Sequence, residues 1–378
     1  EDAMPYPRMI RIRQKFDAPR VADIPAEVQS RLASLELGRK VKPGQTVAIS
    51  VGSRGIANIA VIIKAAVDHF KKLGAVPFIV PAMGSHGGGT AEGQRAIVEN
   101  YGVTEDYLGA EIRSSMETVV VDRTPQGIPV HFDKHAYNSD HVLVCGRVKP
   151  HTGFVGEIES GLYKMMLIGL GKHEGAKVYH RAILDYSFLE IIKAVGDAVL
   201  KKCKVVAGLA IVENAYDETA LVEAVPPDDF FEREKALLVL AKQWMPRLPF
   251  KKIGLLIIDE IGKNISGSGM DTNVVGRKYN DHAATDRDDV SGKRTANSCG
   301  IGLSEFTNRR TIDGVDMNIT AINSLTGGHP TAAMLPIAYE TDREVLDAAL
   351  PTTGLVEPEN ALVVHISNTL HVGEVLVS

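Results

Sequence analysis

Three short apolar runs that break into glycine-rich turns constrain the fold of this chain most. They are TVAISV (46–51) leading into GSRG, VPFIVPA (76–82) leading into MGSHGGGT, and HVLVCG (141–146) leading into a polar, glycine-containing stretch. Runs this short and this continuously apolar suit strands buried on both faces, as in a parallel sheet. Between the first two, Ile56, Ile59, Ile63, Val67 and Phe70 recur at about 3.6 residues and predict a crossover helix ending at Gly74. Thr90 is placed to cap a helix from Ala91, and Ser187 with Glu190 spells a capping box for a helix to about Leu200. VVAGLAIV (205–212) predicts another buried strand, and Asp228 or Asp229 opens a helix through Trp244.

The order implies an α/β fold. We expect a parallel-sheet N-terminal domain over residues 1–250 that binds cofactor and catalyses. A second, smaller α/β domain over residues 251–378 would close the active-site cleft, its last strand a candidate to return to the first domain. That second region opens on IGLLIIDEIG (253–262) and runs through a long polar tract from Lys263 to about Ser298. Strands at 315–323 and 361–367 and a helix around Asp342–Leu350 follow.

Composition excludes several classes. The 378 residues are 44% hydrophobic and 24% charged, with a formal charge of −5, so no basic field invites nucleic acid. Cys145, Cys203 and Cys299 form no CxxC, which argues against a disulfide scaffold or a cysteine zinc site and suits a reducing, cytoplasmic setting. No apolar run approaches the roughly 20 residues that span a bilayer, so no membrane partner is expected.

The carboxyl ends of parallel strands share one edge, where ligands bind. Arg54, His86 and His151 would therefore meet on one rim. Arg54 suits a phosphate or carboxylate. His86, in GSHGG, is either a loop histidine capping the next helix or a general acid/base, and the same alternatives hold for His151. Lys164 enters an apolar run, where a lysine either snorkels to the surface or is desolvated as a reactive amine. His180 alone reads as an ordinary helix residue. His282, Asp286, Asp288 and Asp289 form a loop cluster able to take a divalent ion, and GLGKHEG (169–175) lacks the spacing of a phosphate loop. From these residues alone, a non-catalytic nucleotide- or phosphate-binding protein and a metal-dependent hydrolase or lyase both stay open.

Arg54, His86, His151, Lys164, and His180 sixteen residues beyond that lysine together resemble the nickel-dependent lactate racemase family. The resemblance implies a racemase or epimerase of a 2-hydroxy acid that uses nickel in a nickel-pincer nucleotide (nickel pyridinium-3,5-bisthiocarboxylic acid mononucleotide), made by separate cofactor-biosynthesis proteins. By the same resemblance Lys164 tethers the nucleotide, His180 completes the nickel coordination, and Arg54, Ser53 and Gly84 lie by the cofactor. His86 and His151 would alternate as base and acid while hydride moves to and from the cofactor. GMDTN (269–273) looks like the family's G-x-P-L-D-Q-N pocket segment, which makes Asp271, Thr272 and Asn273 candidate substrate residues. Three departures imply a substrate other than lactate. Val51 stands where the family has an acid, and Thr272 where it has glutamine. Three extra residues before Lys164 bring Glu157 and Glu159, expected to meet substrate hydroxyls.

Overall fold

The computed structural model describes residues 6–53, 55–152, 155–251, 253–262, 265–266, 269–275, 300–304, 310–312, 337–350 and 357–378. The chain divides into two units, one of Ala18–Pro150 with Gly156–Gln243, the other of the segments ending at Asp17, His151–Val155 and Trp244–Ser378. Residues 151–155 thus group with the C-terminal part although both flanks belong to the first unit.

The first unit is α/β. Its five-stranded sheet runs β3(Val76–Pro81), β2(Thr46–Val51), β6(His141–Arg147), β7(Val205–Glu213) and β8(Thr219–Val225). All neighbours are parallel except β7 and β8. On one face Ile49, Leu143 and Leu209 pack with Ile63, Val67 and Phe70 of α2(Ile59–Lys72) and Val28 and Leu32 of α1(Ile24–Ser34). On the other face, a Cβ at Gly208 would meet Leu162 and Phe230, the first residues of α6(Leu162–Lys164) and α9(Phe230–Trp244).

Local chemistry sets the ends. Thr90 caps α3(Ala91–Asn100) by accepting from Gly93 N–H, and Thr104 does the same for α4(Glu105–Leu108). Asp133, which ends the hairpin of β4(Thr118–Arg123) and β5(Pro129–Asp133), caps α5(Lys134–Asn138). After α7(Lys172–Ala182), Ser187 and Glu190 form the capping box of α8(Phe188–Lys202). Gly74 turns at φ +78° against Pro43, a position that favours glycine.

In the second unit the described strands form one sheet: β1(Ile10–Arg13), β14(Glu374–Val377), β13(Val363–Ile366), β9(Leu255–Ile261), β10(Gly300–Ser304), β11(Arg310–Ile312) and β12(Ile337–Tyr339). The last strand pairs antiparallel with the first, and β9 lies between parallel neighbours β13 and β10. Leu256, Ile258 and Val364 pack on one face with Met270 and with Val274 and Val275 of α10(Thr272–Val275). Leu255 and Val363 pack on the other with Val345 and Ala349 of α11(Asp342–Ala349). The expected strand at 315–323 lies outside the described residues. Among the described residues no helix is long and apolar enough to cross a membrane.

Candidate functional site

In the first unit the loops after β2, β3 and β6 leave the same sheet edge. The loop after β2 is pinned from three sides. Tyr101 donates its hydroxyl to Ser53 O at 2.7 Å, and Arg147 at the end of β6 donates to Gly55 O at 3.1 Å. Arg147 also pairs with Glu213 of β7, whose other oxygen accepts from Ala57 N–H at 2.6 Å. Ser53 Oγ lies 2.5 Å from His86 Nδ1, so the loops after β2 and β3 meet through the imidazole. That contact fixes the orientation of the ring, as positioned acid/base histidines require. Arg54 lies outside the described residues.

The glycine turn carrying His86 packs on the chain that follows Lys164. Gly84 has φ +62°, and a Cβ there would come 2.7 Å from Ile168 Cγ2 and 3.7 Å from Ala176 of α7. Gly89 has φ +66° and faces His173, also of α7. Both glycines therefore allow a left-handed backbone and a close approach at once. Lys164 itself is half-buried, 3.3 Å from Ser160 Oγ. After it comes one π-helical turn, closed by Leu170 N–H to Met165 O at 2.8 Å, a geometry frequent at functional sites. The turn rests on the strand ends, since a Cβ at Gly146 would meet Met165 Cγ at 2.8 Å and one at Gly169 would meet Ala82 O at 3.0 Å. His180 is half-buried on α7, its ring tilted against Tyr179.

Helix α9 supports this segment from behind. Glu234 is fully buried and accepts from Tyr163 N–H at 3.0 Å, holding the short helix that presents Lys164. Burial pushes its carboxyl up to about 7, against the downward pull of the Tyr163 and Leu162 amides. Glu159 is 1% exposed and pairs with Lys242 of α9 at 2.6 Å. The exposed Glu157 pairs with Lys235 of α9, also at 2.6 Å. The glutamates expected at the substrate are thus engaged by lysines of one supporting helix.

The second unit joins two other sequence candidates. Asn273 Nδ2 donates to His151 O at 3.2 Å, and the Thr272 hydroxyl donates to Thr152 O at 2.6 Å. Asp271 Oδ1 accepts from Asn273 N–H at 2.9 Å, while its own N–H donates to Thr369 Oγ1 at 2.8 Å. The DTN segment is therefore a bracket around the His151 backbone, with Asp271 and Thr272 buried.

Among the described residues no group of three or more His, Cys, Asp or Glu side chains could hold a metal by itself. His282, Asp286, Asp288 and Asp289 lie outside the described residues. Sequence reasoning missed Arg147, Glu213 and Glu234. Glu234 left a signal, for it falls on the apolar face of α9 with Phe230, Leu237, Leu238 and Ala241, where a carboxylate is out of pattern.

The first unit is thus a mostly parallel α/β sheet covered on both faces, with ionisable side chains in the loops at its carboxyl edge, where such sheets bind ligands. Residues 10–189 match the family model of the lactate racemase N-terminal domain. Among solved structures, the lactate racemase apoprotein from Thermoanaerobacterium thermosaccharolyticum is similar, with 14% identity over 66% of this chain and a TM-score of 0.46. The match spans 62% of that relative's length. No curated protein matches the chain in sequence.

Proposed function

We propose that this chain is an isomerase, a racemase or epimerase of a 2-hydroxy acid that works with a lysine-tethered nickel-pincer nucleotide. The observation that carries the reading is that one unit gathers Ser53, His86, Lys164 and the His180 helix at the carboxyl edge of a single parallel sheet. The match of residues 10–189, which include all four, to the lactate racemase N-terminal domain model supports it.

The residues fit the cofactor by their donor chemistry. A protein-only metal centre needs three or more side-chain ligands, whereas a nucleotide bringing its own sulfur and carbon donors asks the protein for one imidazole and one anchoring amine. His180 and the half-buried Lys164 are of those types. Arg54, Ser53 and the amides around Gly84 would hold the nucleotide phosphate. When bound, the cofactor supplies a reversible hydride acceptor. His86 and His151 take the hydroxyl proton of the substrate and return it, each serving as base for one enantiomer and as acid for the other. The Ser53 contact at Nδ1 and the Asn273 contact at the His151 carbonyl hold the two in place.

The 2-hydroxy acid need not be lactate. We do not assign Glu157, Glu159 and Thr272 to substrate hydroxyls, because Lys235, Lys242 and Thr152 O respectively already engage them. We place the enzyme in the cytoplasm, served by the proteins that make the cofactor.

The test is expression alongside the cofactor-making enzymes, followed by intact-mass and nickel analysis and assays on a panel of chiral 2-hydroxy acids. A nucleotide-sized adduct lost in Lys164→Ala, with bound nickel, is the expected result. His86→Ala and His151→Ala should each keep the adduct and lose racemisation. No adduct and no nickel under those conditions would overturn the reading.

A further inference from the structure

The motif GLGKHEG (169–175) has no part in the proposed reaction, yet it contains a fully buried, charged side chain with several polar contacts in the first unit. Lys172 is 0% exposed and adopts φ +56°, a left-handed backbone that a residue with a Cβ keeps only where its surroundings impose it. Its ammonium lies 3.2 Å from Asp133 Oδ2, donates to Pro81 O, and lies 3.4 Å from Gln94 Oε1. Asp133 and Gln94 are also 0% exposed. Burial draws the ammonium below the ordinary lysine range, against the pull of Asp133.

Gln94 passes this contact on. Its amide nitrogen donates to Gly84 O at 2.8 Å and to His86 O at 3.2 Å. Pro81 is the last residue of β3, so Lys172 grips the start of the His86 turn directly and its middle through Gln94. Lys172 is also the first residue of α7, the helix that bears His180. One ammonium therefore ties the strand end, the histidine turn, the β4–β5 hairpin and α7 together.

A buried ion pair is weak as a stabiliser, because apolar replacements of both partners commonly cost nothing. Fixing one geometry is the use that remains. We propose that Lys172 is a positioning residue that, through Gln94 and Pro81, sets the His86 turn against α7. The proposal rests on the acid/base reading of His86 given above.

The test uses the full chain in two arms. In the first, Gln94→Met removes the amide that reaches Gly84 and His86 while Lys172 keeps Asp133. In the second, Lys172→Met with Asp133→Asn removes both charges and keeps the cap of α5. Hydrogen exchange read by mass spectrometry, with or without cofactor, should show residues 84–89 exchanging about 10-fold faster in both arms, with β2 and β7 unchanged. In cofactor-loaded enzyme, kcat should fall about 10- to 100-fold, as sub-ångström misplacement of a catalytic group predicts, with KM within about 2-fold and adduct and nickel as in wild type. A purely structural role predicts otherwise: once the charge pair is neutralised and Tm recovers, loop protection and kcat recover too. That result, or wild-type exchange at 84–89 in the Gln94→Met chain, overturns the proposal. If the wild type carries no adduct, the racemase reading fails, while the exchange comparison still decides whether Lys172 holds the turn.

Discussion

Glu234→Gln is expected to change how stability depends on pH. Glu234 is buried without exposure, and its Oε1 has no hydrogen-bond partner while its Oε2 accepts from Tyr163 N–H. Desolvation therefore lifts the carboxyl from 4.5 to about 7. The folded chain then holds a proton that the unfolded chain releases across that window, so stability falls as pH rises through it. The stabilisation is complete below about pH 4.5 and is lost by about pH 7. At roughly 1 kcal/mol or a little more per pH unit, a rise of this size is worth ~3 kcal/mol, most of which is lost between pH 5 and pH 8.

Glutamine has the shape and keeps the acceptor for Tyr163 but cannot ionise. Urea unfolding of both proteins, followed by circular dichroism at pH 5 and pH 8, isolates the effect, since every other titrating group is common to the two. The advantage of wild type over Glu234→Gln should shrink by ~2–3 kcal/mol between these pH values, or reverse, whatever its size at pH 5. Equal differences at the two pH values would refute the assignment of a neutral carboxyl at position 234. Because this group holds the turn that presents Lys164, cofactor attachment should also be poorer above pH 7 in wild type than in the glutamine variant.

Gly84→Ala places a Cβ 2.7 Å from Ile168 in a left-handed backbone, and should cost about 2 kcal/mol in thermal unfolding with loss of turnover. Glu159→Ala leaves Lys242, at 24% side-chain exposure, without the buried partner it pairs with, and should cost about 2–3 kcal/mol. Glu157→Ala, whose side chain is 52% exposed, should cost under about 0.5 kcal/mol. Neither should raise KM, and a selective KM increase in both would return them to the substrate pocket. Ser53→Ala should lower racemisation about 10-fold and move the pH–rate profile, because the His86 ring loses its contact at Nδ1.

The parts of the fold that could be read in advance are those whose signal is local. β2, β3, β6 and β7 are buried along nearly their whole length, so their apolar runs are continuous, and Thr90 and Ser187 carry their caps with them. The strands that escaped have no such signal. β1 reads IRIR and β8 reads TALVEAV, each with partly exposed positions. β1 is a strand because β14 lies beside it, Ile10 against Val377, a pairing that spans almost the entire chain. The candidate site divides in the same way. Lys164 and His180 stand out only through a spacing that resembles the lactate racemase family's, and His86 by its glycines. The ion-pair partners of Glu157 and Glu159 are Lys235 and Lys242 on α9, some 80 residues on, and no local pattern announces them.

The polar groups that sequence reading passed over are those that hold the catalytic candidates. Arg147 and Glu213 fasten the loop after β2, Lys172 and Gln94 the turn after β3, and Glu234 the turn before Lys164. Each is buried or nearly so, where an uncompensated polar group costs free energy that an apolar side chain would not. A core selected for stability alone would not place so many of them behind three loops of one sheet edge. Their common feature is that they bond to backbone: Gly55 O and Ala57 N, Pro81 O, Gly84 O and His86 O, Tyr163 N. Backbone contacts fix where a loop runs without dictating which side chains it shows, so the same scaffold can keep a cofactor in place while the residues facing the substrate change.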